Sequence, residues 1–181
     1  MASADGAAMH RNRLILLATS LAASLTGCGS NSLTPDAVRS IPDGDGQGAA
    51  LTGHYDVETR VIECHGSCGP FTVGIFSSTI CDVGDTDTIS VDATQSDGHL
   101  RIETDDLPSL FEGGAFTDGS FEVGGYATQL GGDLEIAARS LGSIDAQGHL
   151  SATLEARSWG NIEGQHADCR QIREATGARE D

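Results

Sequence analysis

From Leu51 onward, apolar and polar side chains alternate with a period of two. Tyr55, Val57, Thr59 and Val61 alternate with His54, Asp56, Glu58 and Arg60. Successive side chains of a strand point to opposite faces, so this segment reads as a strand with one buried face. Phe71, Val73 and Ile75 repeat the pattern. Ile89, Val91 and Ala93 are predicted to face inward, with Ser90 and Asp92 outward. A turn at Ser96-Asp97-Gly98 follows, then Leu100 and Ile102 separated by Arg101. That is a hairpin signal, and the Asp-Gly pair can supply the positive φ that tight hairpin turns need. Phe116-Thr117-Asp118-Gly119-Ser120-Phe121-Glu122-Val123 is a second strand–turn–strand. Ile144-Asp145-Ala146-Gln147-Gly148-His149-Leu150 opens a third, continued by Ala152, Leu154 and Ala156, and Leu134 and Ile136 mark a strand before it. Residues 167–175 read as a closing strand, with Ile172 inward, or as a short helix.

The turns at 97, 118 and 147 share an acid or amide, a Gly, one residue and an apolar one. Their unequal intervals predict successive hairpins and not a solenoid. About eight or nine short antiparallel strands result. Consecutive strands usually pair, and closing a meander removes both of its edges. The expected fold is therefore all-β: an antiparallel up-and-down meander closed into an 8–9-stranded barrel, with a β-sandwich as the alternative. Residues 51–181 form one β-domain, long enough to bury about two-thirds of the surface of its unfolded chain. Residues 28–50, rich in Ser, Asn, Pro, Asp and Gly, are expected to be a flexible tether. Within them Asp43-Gly44-Asp45-Gly46 resembles part of a calcium loop but lacks the closing Glu, so a linker is the preferred reading.

The opening of the chain has a different pattern. Arg11 and Arg13 precede an uncharged apolar run from Leu14 to Leu25. A basic segment followed by a short apolar one is the order of a secretion signal. A helix of about 12 residues rises only ~18 Å, short of the ~30 Å of a bilayer core. Leu25-Thr26-Gly27-Cys28 then resembles the lipobox of bacterial lipoproteins. A classical signal with a cysteine near its cleavage site is the alternative. The resemblance implies a signal peptide over residues 1–27, cleavage after Gly27, and diacylglycerol and palmitate-type acyl chains on Cys28. It also implies attachment to the bacterial envelope, and Gly29 in place of Asp favours the outer membrane. Gly53-His54-Tyr55 at the start of the first strand is similar to the Gly-x-Trp of the lipocalins and the wider calycin group. Here Tyr55 stands in the aromatic position, and the only Trp is Trp159. That resemblance implies a lipocalin-like barrel with an apolar ligand inside.

Charge and cysteines narrow the picture. Removing Asp5, Arg11 and Arg13 from the 27 acidic and 10 basic residues leaves 26 and 8, about −18 with neutral histidines. Such a surface repels nucleic acid and anionic head groups, so no nucleic-acid partner is expected. Cys64, Cys68, Cys81 and Cys169 remain once Cys28 is set aside. An even number in an exported chain reads as two disulfides, of which three pairings are open. A zinc set of Cys64, Cys68, Cys81 and His166 is the disfavoured alternative, because paired CxxC elements are missing.

The chain contains no Gly-x-Ser-x-Gly elbow and no His-Glu-x-x-His zinc helix. Asp82, Asp85 and Asp87 crowd one loop and Asp105-Asp106 another. Turn acids bond the backbone, which is the preferred reading over calcium. His54, His99 and His149 are expected to point outward. Tyr55, Phe71, Phe116, Phe121, Tyr126 and Trp159 are expected in the core, or lining a ligand space if the barrel is hollow. No catalytic residue, metal or cofactor is expected. Two functions are retained: a non-enzymatic, membrane-anchored envelope protein binding a small apolar ligand in its barrel, or a structural module binding another envelope component on its surface.

Overall fold

The computed structural model describes residues 33–73 and 76–180. The described residues form one compact unit. The elements in chain order are α1 (Pro35–Arg39), β1 (Gly53–Ser67), β2 (Phe71–Val73), β3 (Phe76–Ser78), β4 (Thr86–Ser96), β5 (His99–Thr104), β6 (Leu110–Ala115), β7 (Ser120–Gln129), a 3-10 turn (Leu130–Gly132), β8 (Leu134–Ile144), β9 (His149–Ile162) and β10 (Gln165–Arg179). Eight strands close into an antiparallel barrel in the order β1-β10-β9-β8-β7-β6-β5-β4. The seam is the β1–β4 pairing, from Gly53 opposite Ala93 to Arg60 opposite Thr86. The molecule is thus an up-and-down barrel, consistent with a lipocalin-like fold, and not a sandwich. No described helix is long and apolar enough to cross a membrane.

The period-two pattern is what the barrel reads out. Tyr55, Val57, Val91, Ala93, Leu100, Ile102, Phe121, Val123 and Leu150 are buried in one interior cluster. At one end the turns after β4, β6 and β8 gather beside the start of β1. Asp118 accepts from the Ser120 amide at 2.9 Å, and Asp145 from the Gln147 amide at 2.9 Å. Gly148 follows with φ of 83°, a conformation in which a Cβ is strained. In the first hairpin it is Asp97, not Gly98, that takes the positive φ, 52°. Gly98 serves a different purpose: a Cβ there would lie 2.0 Å from the Gly44 carbonyl oxygen.

That contact corrects the tether. Residues 33–50 do not behave as a linker; they lie on the barrel. Thr34 caps α1 by accepting from the Ala37 amide at 3.2 Å, with Pro35 in the first turn. Val38 is buried with Leu33 and Ala137, against Tyr126 and Trp159. Gly124 lets the helix approach, since a Cβ there would stand 2.2 Å from the Val38 carbonyl oxygen. The chain then pairs with the barrel through Gly44 N–H to Gly98 O at 2.8 Å and Gly46 N–H to Ala115 O at 2.9 Å. It reaches Leu51, which is buried beneath the closed end.

Two further expectations change. Phe71 and Val73 belong to a separate two-stranded hairpin, β2–β3, and not to the barrel wall; Ile75 lies outside the described residues. Residues 167–175 are strand, but Ile172 is not on the inner face. Its neighbours Gln171 and Arg173 share the face of buried Cys169 and Ala175. On β1, a register shift between Val61 and Glu63 moves Cys64 opposite Gln171, so the alternation slips by one residue.

Candidate functional site

The barrel interior is packed, with a hydrogen-bonded floor at the closed end and a small cavity among the core side chains above it. Tyr55 is fully buried in that floor and donates its hydroxyl to the Leu51 carbonyl at 3.0 Å. Burial pushes the Tyr55 phenol up from its ordinary value, opposed by nearby Arg179. Gln95 accepts from the Leu51 amide at 2.9 Å and donates to the Asp97 carbonyl at 2.8 Å. Among the described residues, no buried side-chain nitrogen or oxygen of this floor lacks a hydrogen-bond partner.

Above the floor lies an apolar cavity of about 60 Å³ to which all eight strands contribute. Val57, Val91, Ile102, Phe111, Phe121 and Leu154 form much of its wall. Three hydroxyl-bearing residues, Thr59, Thr104 and Ser140, also line it. Thr59 donates to the Asp87 carbonyl at 3.4 Å, and Thr104 to the Pro108 carbonyl at 3.2 Å. The volume is small beside the roughly 300–1,000 Å³ of drug-sized ligand sites, and below the ~150 Å³ apolar cavity that admits benzene.

Beyond the cavity, β8, β9 and β10 rise above β5 and β6, and the excursion between β1 and β4 folds onto them. Phe71 is buried against Leu134, Ile162 and Ala167. Gln165 clasps the hairpin edge, accepting from the Thr72 amide at 3.4 Å and donating to its carbonyl at 3.1 Å. Two disulfides pin the excursion: Cys64–Cys81 and Cys68–Cys169. The two expected disulfides are therefore present, and Cys169 ties the last strand to the first third of the domain. All four sulfurs are bonded to one another, so they offer no thiolate to a metal.

The six aromatics separate. Tyr55 and Phe121 face the interior, and Phe71 packs the excursion onto the tall strands. Phe116 is 37% exposed in a turn of the closed end. Tyr126 and Trp159 sit on the outer wall beside α1. Arg39 lies 4.3 Å over the Tyr126 ring and Arg157 5.1 Å over that of Trp159. The Tyr126 hydroxyl donates to Glu135 at 2.7 Å, and that bond holds its phenol above the ordinary value. Phe111, not among the aromatics singled out from sequence, lines the cavity. Its alternation with Gly113 and Ala115 was the available signal.

The polar candidates are on the surface. His54, His99 and His149 point outward and meet Asp92, Asp43 and Asp145 at 2.8, 2.7 and 3.1 Å. His65 meets Glu63 at 2.9 Å, and His166 is exposed. Asp82 accepts from the Thr79 hydroxyl, Asp87 from the Thr88 amide and Asp105 from the Ser90 amide. Asp85 adds a backbone pairing with Val61 through its carbonyl. The carboxylates of Asp82 and Asp87 are thus bonded within their own segment, as turn acids commonly are, that of Asp105 to the neighbouring β4, and Asp85 takes part through its backbone. Cys28 lies outside the described residues. Compared with protein-family models, curated proteins and solved structures, the chain matches none. The geometry therefore has to carry the functional reading.

Proposed function

We propose that this protein is a lipid-anchored, non-enzymatic component of the bacterial cell envelope whose barrel takes up a slender, largely apolar ligand. The observation that carries this reading is the apolar cavity shared by all eight strands. Unfilled apolar volume costs roughly 24 cal/mol per Å³, so an interior left hollow is stability forgone. A cavity this narrow suits the end of an unbranched chain and excludes ring systems. Titrating the purified whole chain with 1-octanol, followed by chemical shifts of the Val57, Val123 and Leu154 methyl groups, tests it. Saturable shifts confined to cavity methyls are expected; their absence at the solubility limit overturns the reading.

A second reading is supported by the loops at the cavity end. Val83, Leu107 and Leu130 are 67%, 42% and 57% exposed, and all three lie in connections at that end of the barrel. An envelope partner docking on this rim would cover them, and failure of 1-octanol to bind favours this reading. In both readings Cys28 carries the anchor, motivated by Leu25-Thr26-Gly27-Cys28 after the apolar run. Two or more acyl chains hold a protein on a bilayer. Labelling cells with an alkyne fatty acid should mark the parent chain and not Cys28→Ala; equal labelling refutes the anchor. Outer-membrane residence is read from Gly29, and membrane fractionation tests it.

A further inference from the structure

One cation faces the barrel axis at the cavity end. Arg173 on β10 stands opposite Val61 on β1 and Leu154 on β9. Residues directly opposite in an antiparallel sheet share a face, so the Arg173 side chain leaves the sheet on the side of Leu154. Thr59, Leu154 and Ala175 surround it, and all three line the cavity. The guanidinium donates to Gln171 Oε1 at 3.3 Å and to Thr59 Oγ1 at 3.4 Å. Both acceptors are neutral and both bonds are long.

Its lack of a carboxylate stands out against the other half-buried arginines. Arg139 holds Glu122 at 2.7 Å, and Arg157 holds Asp168 through two bonds of 2.8 and 2.9 Å. Among the described residues, Arg173 has no carboxylate oxygen within 4.0 Å. The chain carries 27 acids against 10 bases, so partners were plentiful. Asp87, opposite Thr59 on β4, is the inward-facing acid nearest by register, and it accepts instead from the Thr88 amide. A guanidinium has five N–H donors in a fork that matches a carboxylate. A partly desolvated cation with unused donors, directly above an apolar cavity, is complementary to an amphiphile.

We infer that Arg173 is the head-group site of the barrel, and that the ligand is an unbranched aliphatic chain ending in a single anionic group. The chain end enters the cavity past Leu154 and Ala175. The head group stays at the level of Arg173 and takes the guanidinium donors that Gln171 and Thr59 leave unused. This deepens the ligand-binding reading and rests on it.

The test compares octanoate, octyl phosphate and 1-octanol on the purified whole chain by calorimetry, with the carboxyl carbon of octanoate isotopically labelled for NMR. Charge-assisted hydrogen bonds are the strong ones, so octanoate should bind roughly tenfold or more tighter than 1-octanol. Octyl phosphate against octanoate tells which anionic head group is preferred. Arg173→Gln should bring octanoate down to the affinity of 1-octanol while leaving 1-octanol unchanged; Arg173→Lys should retain part of the preference. Equal binding of octanoate and 1-octanol to the parent overturns the inference and leaves the cavity reading standing. Binding of neither overturns both. Should Arg173→Gln fail to fold, the parent comparison and the labelled carboxyl resonance decide alone.

Discussion

The two ends of the barrel are held by different chemistry. The closed end is secured by hydrogen bonds within the chain: Tyr55 to Leu51, Gln95 to Leu51 and Asp97, and residues 44–48 paired with the hairpins above them. The cavity end is secured covalently, by two disulfides holding one excursion against the tall strands. Hydrogen-bonded closure gives the buried side chains Tyr55 and Gln95 their partners, which suits a floor. Cross-links hold an excursion that packs on the tall strands through Phe71 and on Val61 through the cystines. The carboxylate-free Arg173 lies toward the stapled end, above a cavity whose wall runs on to Phe121 and Leu150 near the closed-end turns. A ligand site needs such a region, and the opposite end supplies the rigidity that tolerates it.

Removing the staples should give the largest effect. In the chain-entropy account a cross-link stabilises by restricting the unfolded chain, by about 3 kcal/mol for a short loop and about 5 kcal/mol for one near 100 residues. Cys64–Cys81 spans 17 residues and Cys68–Cys169 spans 101. The pair Cys68→Ala with Cys169→Ala should therefore cost more than Cys64→Ala with Cys81→Ala in urea unfolding. The reverse order would mean that local packing of the excursion, and not chain restriction, dominates at this end.

A smaller loss is expected from the floor. Gln95 is 6% exposed and bonds the Leu51 amide and the Asp97 carbonyl. Gln95→Ala leaves a buried N–H unpaired, at a cost of about 1–3 kcal/mol. Octanoate affinity should not change, because Gln95 does not line the cavity. A variant that lost stability and ligand binding together would show that the two ends are coupled.

The strands and turns of the closed end were legible in the sequence; the segment docked beneath them and the mouth were not, for physical reasons. At the closed end, period-two alternation, Asp-Gly and Gln-Gly turns, and inward Tyr55 and Leu100 all agree with the structure, because apolar burial writes the pattern. Toward the cavity end β10 presents Gln171 and Arg173 inward while Ile172 faces out. A rule that assigns apolar residues to the interior inverts that stretch. The same rule overlooked residues 33–50, whose docking depends on Gly124 and Gly98 lacking a Cβ and not on any apolar period. Pairing of the four cysteines is set by the register shift near Val61 and by the fold of the excursion, neither of which spacing encodes. Inverted patterning at an otherwise regular strand is itself informative, since sequences break local rules most often where function requires it.

The smallest expected effect separates the two ends by pH. On the outside of the closed end His54 bonds Asp92 at 2.8 Å and Ser90 at 3.2 Å, with Glu180 at 3.7 Å. The hydrogen bond to Asp92 raises the His54 pKa above its ordinary value, aided by the charges of Asp92, Glu180 and Asp56. A raised histidine stabilises the fold fully below its unfolded pKa of about 6.5, and that contribution fades as pH rises through the higher folded value. On the wall of the cavity end, the Arg157 guanidinium holds Asp168 below the ordinary carboxylate range. That contribution is complete above about pH 4 and is lost only as pH falls through the lower folded value. From pH 6 to 8, then, the closed end should loosen while the Arg157–Asp168 pair stays intact. Hydrogen exchange corrected for its intrinsic pH dependence should show the amides near His54 and Asp92 losing protection over that interval, with those of residues 157 and 168 unchanged. His54→Gln keeps a donor and cannot titrate, so it should flatten the response at the closed end. A variant with the parent's full pH dependence would place the titrating group elsewhere.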